Sequence, residues 1–308
     1  MSSQEQENHI QRQDQDYMVR ALVLEGKVRV YAIRSTQTVQ EAQERHQTWP
    51  TVTAALGRTL SVGAMMGAMM KGEDKLTIQV RGNGPIGKIM VDANSKGQVR
   101  GYVDNPQVHL PKNEQGKLDV GGAVGPEGAI YVNKDLGMRE PYQGHSKLIS
   151  GEIGEDFTVY FAQSEQTPSS VGVGVIVNPD NSVKASGGFI IQLMPGVPDD
   201  FINQLENQLK AIPPVSQLVN EGLTPEEMIK RVFVLDEVKW LDTVPVSYSC
   251  HCSYERVSQT LISLGKEELE NLLQEEGKAE VNCHFCNSTY NFEREDLEQL
   301  IQEIERQK

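Results

Sequence analysis

The sequence predicts an α+β protein made of a mainly antiparallel sheet domain with packed helices, a helical linker, and a small C-terminal domain organised around four cysteines. Three observations carry this. Short strand-like runs follow one another from Leu76 to Leu193, separated by Gly, Asn and Pro turns instead of regular helices, and such an order favours antiparallel pairing. The segment from Asp199 to Phe233 then changes to helical periodicity. Finally, the first 249 residues contain no thiol, after which Cys250-x-Cys252 and Cys283-x-x-Cys286 follow within 37 positions. A chain of 308 residues is long enough for about two domains.

Taken in order, residues 1–16 are polar (SSQEQENHIQRQDQ after Met1) and read as a disordered extension without the apolar stretch of an export signal. Tyr17 to Arg34 reads as two strands around a turn at Glu25-Gly26-Lys27. Thr38-x-x-Glu41 has capping-box form and predicts a helix to about Thr48. The apolar run Thr51 to Met70 predicts a buried helix, because Arg58 and several hydroxyls disfavour a membrane span. Its Gly63-x-x-x-Gly67 permits close packing in a protein core. Strand-like runs follow at 76–81, 86–92, 99–104, 129–133, 157–162, 171–177 and 183–193. Asp199-Asp200 leads an amphipathic helix with Phe201, Ile202, Leu205, Leu209 and Ile212 on one face, stopped by Pro213-Pro214. Thr224-Pro225-Glu226-Glu227 supplies an N-cap, a first-turn proline and a capping Glu for a second helix. Beyond Val244, short helices are predicted at 256–264, 267–274 and 295–305, and residues 281–290 read as a knuckle between two extended pieces.

The two cysteine pairs are separated by 30 residues, an arrangement in which each pair wraps one side of a tetrahedral ion while the intervening segment folds back to join them. The ligand set read from this is a four-thiolate zinc site, Cys250, Cys252, Cys283 and Cys286, with one zinc per chain in the reduced form. His251 and His284 lie between the cysteines, but four thiolates already complete a tetrahedron, so both are read as solvent-facing or outside the ligand shell. Structural disulfides fit poorly with a chain lacking an export signal. A thioredoxin-like enzyme would need Cys-x-x-Cys to open a helix after a strand, which the knuckle does not offer. A purely structural zinc ribbon stays open on spacing alone. The Cys-x-Cys pair is unusual, since its two sulfurs are available to each other for oxidation once the metal leaves. Four cysteines allow three pairings, and closeness in sequence favours Cys250 with Cys252 and Cys283 with Cys286.

The net charge of −14 argues against nucleic-acid binding, which needs clustered Lys and Arg. From Ser253 to Lys308 there are 13 acidic and 6 basic side chains, so the cysteine-bearing end is itself acidic. Gly82 to Lys88 spells both a dinucleotide-type and a P-loop-type glycine motif. The following Lys88-Ile89-Met90-Val91-Asp92 reads as a strand, so no helix N-terminus exists to hold phosphate. His46, His109 and His145 form no recognisable triad with Ser and Asp, and no catalytic constellation is legible. The chain reads as cytoplasmic, without a membrane partner and without an enzymatic site.

With these residues assembled, the chain resembles the heat shock protein 33 family. The resemblance runs through Asp16 to Ala21, TWPTVTAALGRTL (48–60), GPIGKIMVDAN (84–94), GYVDNP (101–106), SGEIGEDFTVYFAQSEQTPSSVG (150–172), GGFIIQLMPG (187–196) and the two cysteine pairs. It implies an α+β domain over 17–196, a helical linker over 197–244 and a zinc-binding redox switch over 245–308. It further implies an ATP-independent holdase chaperone, inactive with zinc bound and activated as a homodimer when oxidation of the four cysteines to two disulfides releases the metal. The expected partners are unfolding client proteins, with Phe201, Leu205, Leu209 and Ile212 as candidate client-contacting residues. A zinc-ribbon module with redox-independent binding and a thiol oxidoreductase are the alternatives.

Overall fold

The computed structural model describes residues 15–234 and 237–306; the first 14 residues of the expected extension lie outside the described residues. The chain divides into two compact units with the boundary between Ser249 and Cys250.

In the first unit, β1 (Tyr17–Val23) and β2 (Val28–Arg34) form the predicted hairpin across a short 3-10 turn at Leu24–Gly26. There follow α1 (Thr36–His46), α2 (Pro50–Gly67), β3 (Lys75–Arg81), β4 (Lys88–Asn94), β5 (Gln98–Val103), α3 (Val120–Val124), β6 (Ala129–Asp135) and β7 (Tyr142–Lys147). Next come α4 (Gly154–Gln163), β8 (Ser169–Val177), β9 (Val183–Leu193), α5 (Asp199–Ala211), α6 (Val215–Asn220), α7 (Pro225–Val232), β10 (Lys239–Pro245) and β11 (Ser247–Tyr248). One sheet has the order β10-β1-β2-β9-β8 and the other β11-β5-β4-β3-β6-β7. Pairing is antiparallel except between β11 and β5. The glycine motif at 82–87 is the connection of the β3–β4 hairpin, so a strand and not a helix N-terminus follows it.

Helix α2 is buried over nearly its whole surface, Arg58 being the exception within it, because it contacts β2, β8 and β9 of one sheet and β3, β4 and β5 of the other. A helix apolar all round has to find cover on every side. Gly63 and Gly67 make this possible: a Cβ at Gly63 would meet Val91 Cγ1 at 2.7 Å, and one at Gly67 would meet Asn94 O at 2.6 Å. No helix among the described residues is long and apolar enough to cross a membrane.

Two local predictions are corrected. The run 157–162 is helical, within α4, although its β-branched and aromatic residues favour a strand in isolation. Asp156 decides the matter: its Oδ1 accepts from the backbone N–H of Ile149 (2.7 Å) and Ser150 (3.0 Å), and its Oδ2 from Ile153 (2.9 Å). That gathers the loop into a helix start, and Phe157, Tyr160 and Phe161 then share one buried face at helical spacing. At α1 the N-cap is Ser35, and Thr38 lies one turn inside. The acceptor for the Thr38 N–H is the buried Asp16 carboxylate at 2.6 Å, while Glu41 pairs with Arg45 at 2.7 Å.

The helices of the expected linker share a core with the first sheet. Tyr17, Val19, Ala21 and Val23 of β1, Val28, Val30 and Ala32 of β2, and Ala185, Phe189 and Ile191 of β9 meet Leu205, Val215, Leu218, Val219, Met228, Ile229, Val232 and Phe233. Alternate strand residues make one apolar face, and α5, α6 and α7 cover it. The Thr224 capping box forms as predicted, with Thr224 Oγ1 accepting from Glu227 N–H (3.2 Å) and Glu227 Oε2 from Thr224 N–H (2.8 Å). The chain then returns to the sheets: β10 pairs with β1, β11 with β5, and Ser249 N–H donates to Val99 O at 2.9 Å. Residues 245–249 thus belong with the sheets, five residues beyond the boundary expected from sequence.

The second unit contains α8 (Tyr254–Leu264), α9 (Lys266–Glu275), the hairpin β12 (Ala279–Asn282) and β13 (Thr289–Phe292), and α10 (Arg294–Arg306). Its core is small, built on Leu269, Phe292 and Leu297 with Val257, Leu261, Leu300 and Ile301 around them.

Candidate metal centre

Each cysteine pair is placed by a different local device. Cys283 and Cys286 occupy the turn between β12 and β13, where Cys283 N–H donates to Ser288 O (2.9 Å) and Asn287 N–H to Cys283 O (2.7 Å). Asn287 takes the left-handed conformation at φ 57°, which Asn tolerates better than most residues. Cys250 and Cys252 lie on the extended entry to α8, whose N-cap is Ser253. Arg256 in the first turn of α8 donates from Nη1 to His251 O at 3.0 Å, which holds the backbone between the two cysteines.

The four sulfurs all lie within 4.8 Å of one another. Cys250 Sγ is 3.7 Å from Cys283 Sγ, and Cys252 Sγ is 3.2 Å from Cys286 Sγ. A tetrahedral ion held at about 2.3 Å by four thiolates needs sulfur–sulfur edges of about 3.8 Å, so the donor set fits such an ion. His251 and His284 are both exposed and belong to no such cluster.

The surroundings split the sulfurs electrostatically. Burial works to raise the Cys286 thiol, but the Ser288 hydroxyl and backbone N–H, with the neighbouring Cys252 and Cys250, outweigh it and bring the group down to about 7. Burial and the other sulfurs push Cys252 up to about 12 against a hydrogen bond from Tyr290. At 3.2 Å one proton is shared out between the two, since a second negative charge beside the first is disfavoured. Burial also raises Cys283. A bound cation removes this restriction by compensating the thiolates.

Two contacting residues escaped the sequence reading. Tyr290 donates its O–H to Cys252 Sγ at 3.1 Å, and Ser288 Oγ lies 3.2 Å from Cys286 Sγ. Their signal was the period-two alternation running out of Cys-x-x-Cys: Ser288, Tyr290 and Phe292 are sheltered while Thr289 and Asn291 are exposed. The candidate client-contacting residues are elsewhere, in the first unit. Leu205 is buried, and Phe201, Leu209 and Ile212 are partly buried against the sheet core.

Comparison with known proteins agrees with this architecture. The Hsp33 protein family model matches residues 16–293. A 33 kDa chaperonin of Geobacillus sp. (strain WCH70) is 59% identical over 287 residues, covering 93% of this chain and 97% of the relative. One from Bacillus cereus (strain B4264) is 58% identical over 289 residues, covering 94% and 99%. The crystal structure of the 33 kDa chaperonin (heat shock protein 33 homolog) from Thermotoga maritima superposes with a TM-score of 0.86 at 37% identity, covering 93% of this chain and 98% of that one. With the fold, the four-cysteine cluster and near-complete coverage in agreement, this chain belongs to the Hsp33 family of chaperones.

Proposed function

We propose that the protein is a redox-regulated, ATP-independent holdase whose reduced, zinc-bound state is inactive, and whose oxidation by hydroperoxides converts the four cysteines to two disulfides and releases the ion. The observation that carries this is the clustering of four thiols, and no other ligand type, inside a unit with a small core. Bound zinc would supply charge compensation for the thiolates and about 10–16 kcal/mol of folding free energy, as in other small thiolate modules. A core built on so few side chains supplies much less, so loss of the ion unfolds the unit. The favoured pairing is Cys250 with Cys252 and Cys283 with Cys286, because local pairs need no folded scaffold once the unit has opened.

The coupling to binding runs through the chain. Tyr248 and Ser249 precede Cys250 directly, and β11 is only two residues long, so this tether has few bonds with which to survive unfolding of the adjoining unit. β10 is the edge strand next to it, and α5 to α7 precede β10. Their release uncovers the apolar face of β1, β2 and β9 together with Phe201, Leu205, Leu209 and Ile212, a surface suited to unfolding proteins. The active form is a homodimer, the compartment is the cytoplasm, and no nucleic acid, membrane or catalytic step is involved.

The test is aggregation of a chemically unfolded client, followed by light scattering without ATP. Reduced protein is expected to leave aggregation unchanged, and peroxide with mild heat to suppress it. Equal protection in both states would favour a redox-independent zinc-ribbon module, and turnover of client disulfides a thiol oxidoreductase.

A further inference from the structure

We propose that Tyr290 is a positioning residue that brakes attack by the sulfur cluster on electrophiles, and so sets the oxidant threshold of the switch; as a statement about threshold, it rests on the redox reading above. The argument begins with strand geometry. Ser288 directly precedes β13 and Tyr290 is its second residue; at a spacing of two in extended chain their side chains fall on the same side. Their hydroxyls reach Cys286 Sγ (3.2 Å) and Cys252 Sγ (3.1 Å), one sulfur from each cysteine pair, and those two sulfurs are 3.2 Å apart. One strand edge therefore covers a diagonal of the cluster.

A sulfur attacks hydrogen peroxide through its lone pair. The thiolate takes one oxygen to become a sulfenic acid while the O–O bond breaks and hydroxide leaves. A second thiolate then displaces hydroxide from that sulfur to close the disulfide, so two sulfurs lose two electrons and one peroxide is reduced to two hydroxides. An O–H donated to the attacking lone pair must be given up, in part, before the S–O bond forms. Tyr290 therefore slows the first step at Cys252 without contributing a ligand, and Ser288 does the same at Cys286 once that sulfur is deprotonated and the hydroxyl becomes the donor.

Tyr290→Phe removes the hydroxyl and keeps the ring. Three readouts separate the possibilities. Mapped iodoacetamide labelling of the reduced, zinc-loaded protein, in which the bound ion keeps Cys252 as the thiolate, reports sulfur nucleophilicity with no oxidant present. Dye-monitored metal release under excess hydrogen peroxide reports the switch. Metal release to a chelator alone reports how tightly the site is held. The expected result is about fivefold faster labelling at Cys252 and about fivefold faster peroxide-driven release, as for loss of a charge-assisted hydrogen bond relaxed in the transition state, with chelator-driven release unchanged. Ser288→Ala should act likewise at Cys286, which keeps the test open if the Phe variant folds poorly.

Unchanged Cys252 labelling in a folded Phe variant overturns the brake. So does an acceleration of chelator-driven release as large as that of the peroxide-driven step, since the hydroxyl would then only be holding the site together. If the parent releases no metal to peroxide while Cys252 labelling still rises in the variant, the redox reading falls and the brake on nucleophilicity stands.

Discussion

Cys283 is held in its turn by a backbone bond to Ser288 and is within reach of three other sulfurs, so its loss cannot be made good by the exposed His284 beside it. Cys283→Ser is expected to lower bound zinc well below one per chain by elemental analysis; full occupancy would remove Cys283 from the ligand set. In the first unit, Asp16 shows how one carboxyl can work against the fold that it organises. It caps α1 through Thr38 N–H, yet its Oδ1 has no hydrogen-bond partner among the described residues. Burial, opposed by the bonds from Thr38 and Gln37 and by Arg34, holds its pKa above the usual 3.8. The native state therefore binds this proton more tightly than the unfolded chain does, and its contribution to stability declines as pH rises from 3.8 through the folded value, then stays flat. Asp16→Asn keeps an acceptor for Thr38 and abolishes the charge. It should be more stable than the parent to urea at pH 7, with the gap narrowing as pH falls through that window. A variant less stable than the parent at pH 7, with the deficit shrinking as pH falls, would mean that the capping bonds to the charged carboxylate outweigh desolvation.

At the scale of elements, α5 to α7 are held by side-chain burial on the sheet and by one well-made cap. Thr224→Ala removes the Oγ1 acceptor while Glu227 loses its reciprocal arrangement, which costs about 1 kcal/mol. Hydrogen exchange should show the loss as faster exchange in α7, with α2 unaffected. Replacing Phe201, Leu205 and Leu209 with Ser strips the apolar face of α5. Truncating a buried Leu such as Leu205 alone costs about 2–5 kcal/mol, so α5 should detach and the variant should bind client with less oxidation than the parent requires. If it stays inactive until oxidised, docking of α5 is not what restrains binding. The pair Tyr17 and Glu226 adds a polar latch, with the Tyr17 O–H donating to Glu226 Oε2 at 2.8 Å between β1 and α7.

For the whole molecule, the division at Ser249 and Cys250 separates a unit with a large core from one with a small core and four clustered cysteines. Chelation of the metal under reducing conditions should therefore unfold residues 250–306, seen as lost exchange protection there, while the strands of the first unit stay protected. Simultaneous loss in both would show that the units fold as one.

Much of this was legible in the residues. Hairpins with glycine turns, the buried α2, the capped α7 and the knuckle around Cys283 and Cys286 are each specified by neighbours within a few positions, and local chemistry reads out locally. The cysteine spacing likewise announced a four-sulfur site, because chelation by short pairs is itself a local constraint. Tertiary structure decided the rest. The run 157–162 settles as a helix by burying the face of Phe157, Tyr160 and Phe161, and α1 is capped by a carboxylate 22 residues upstream. The linker helices are covered by strands that are distant in sequence, and residues 245–249 join sheets whose partners, Asp16 and Val99, lie more than 140 positions away. Burial and long-range hydrogen bonds depend on which surfaces meet, and no window along the chain contains that information.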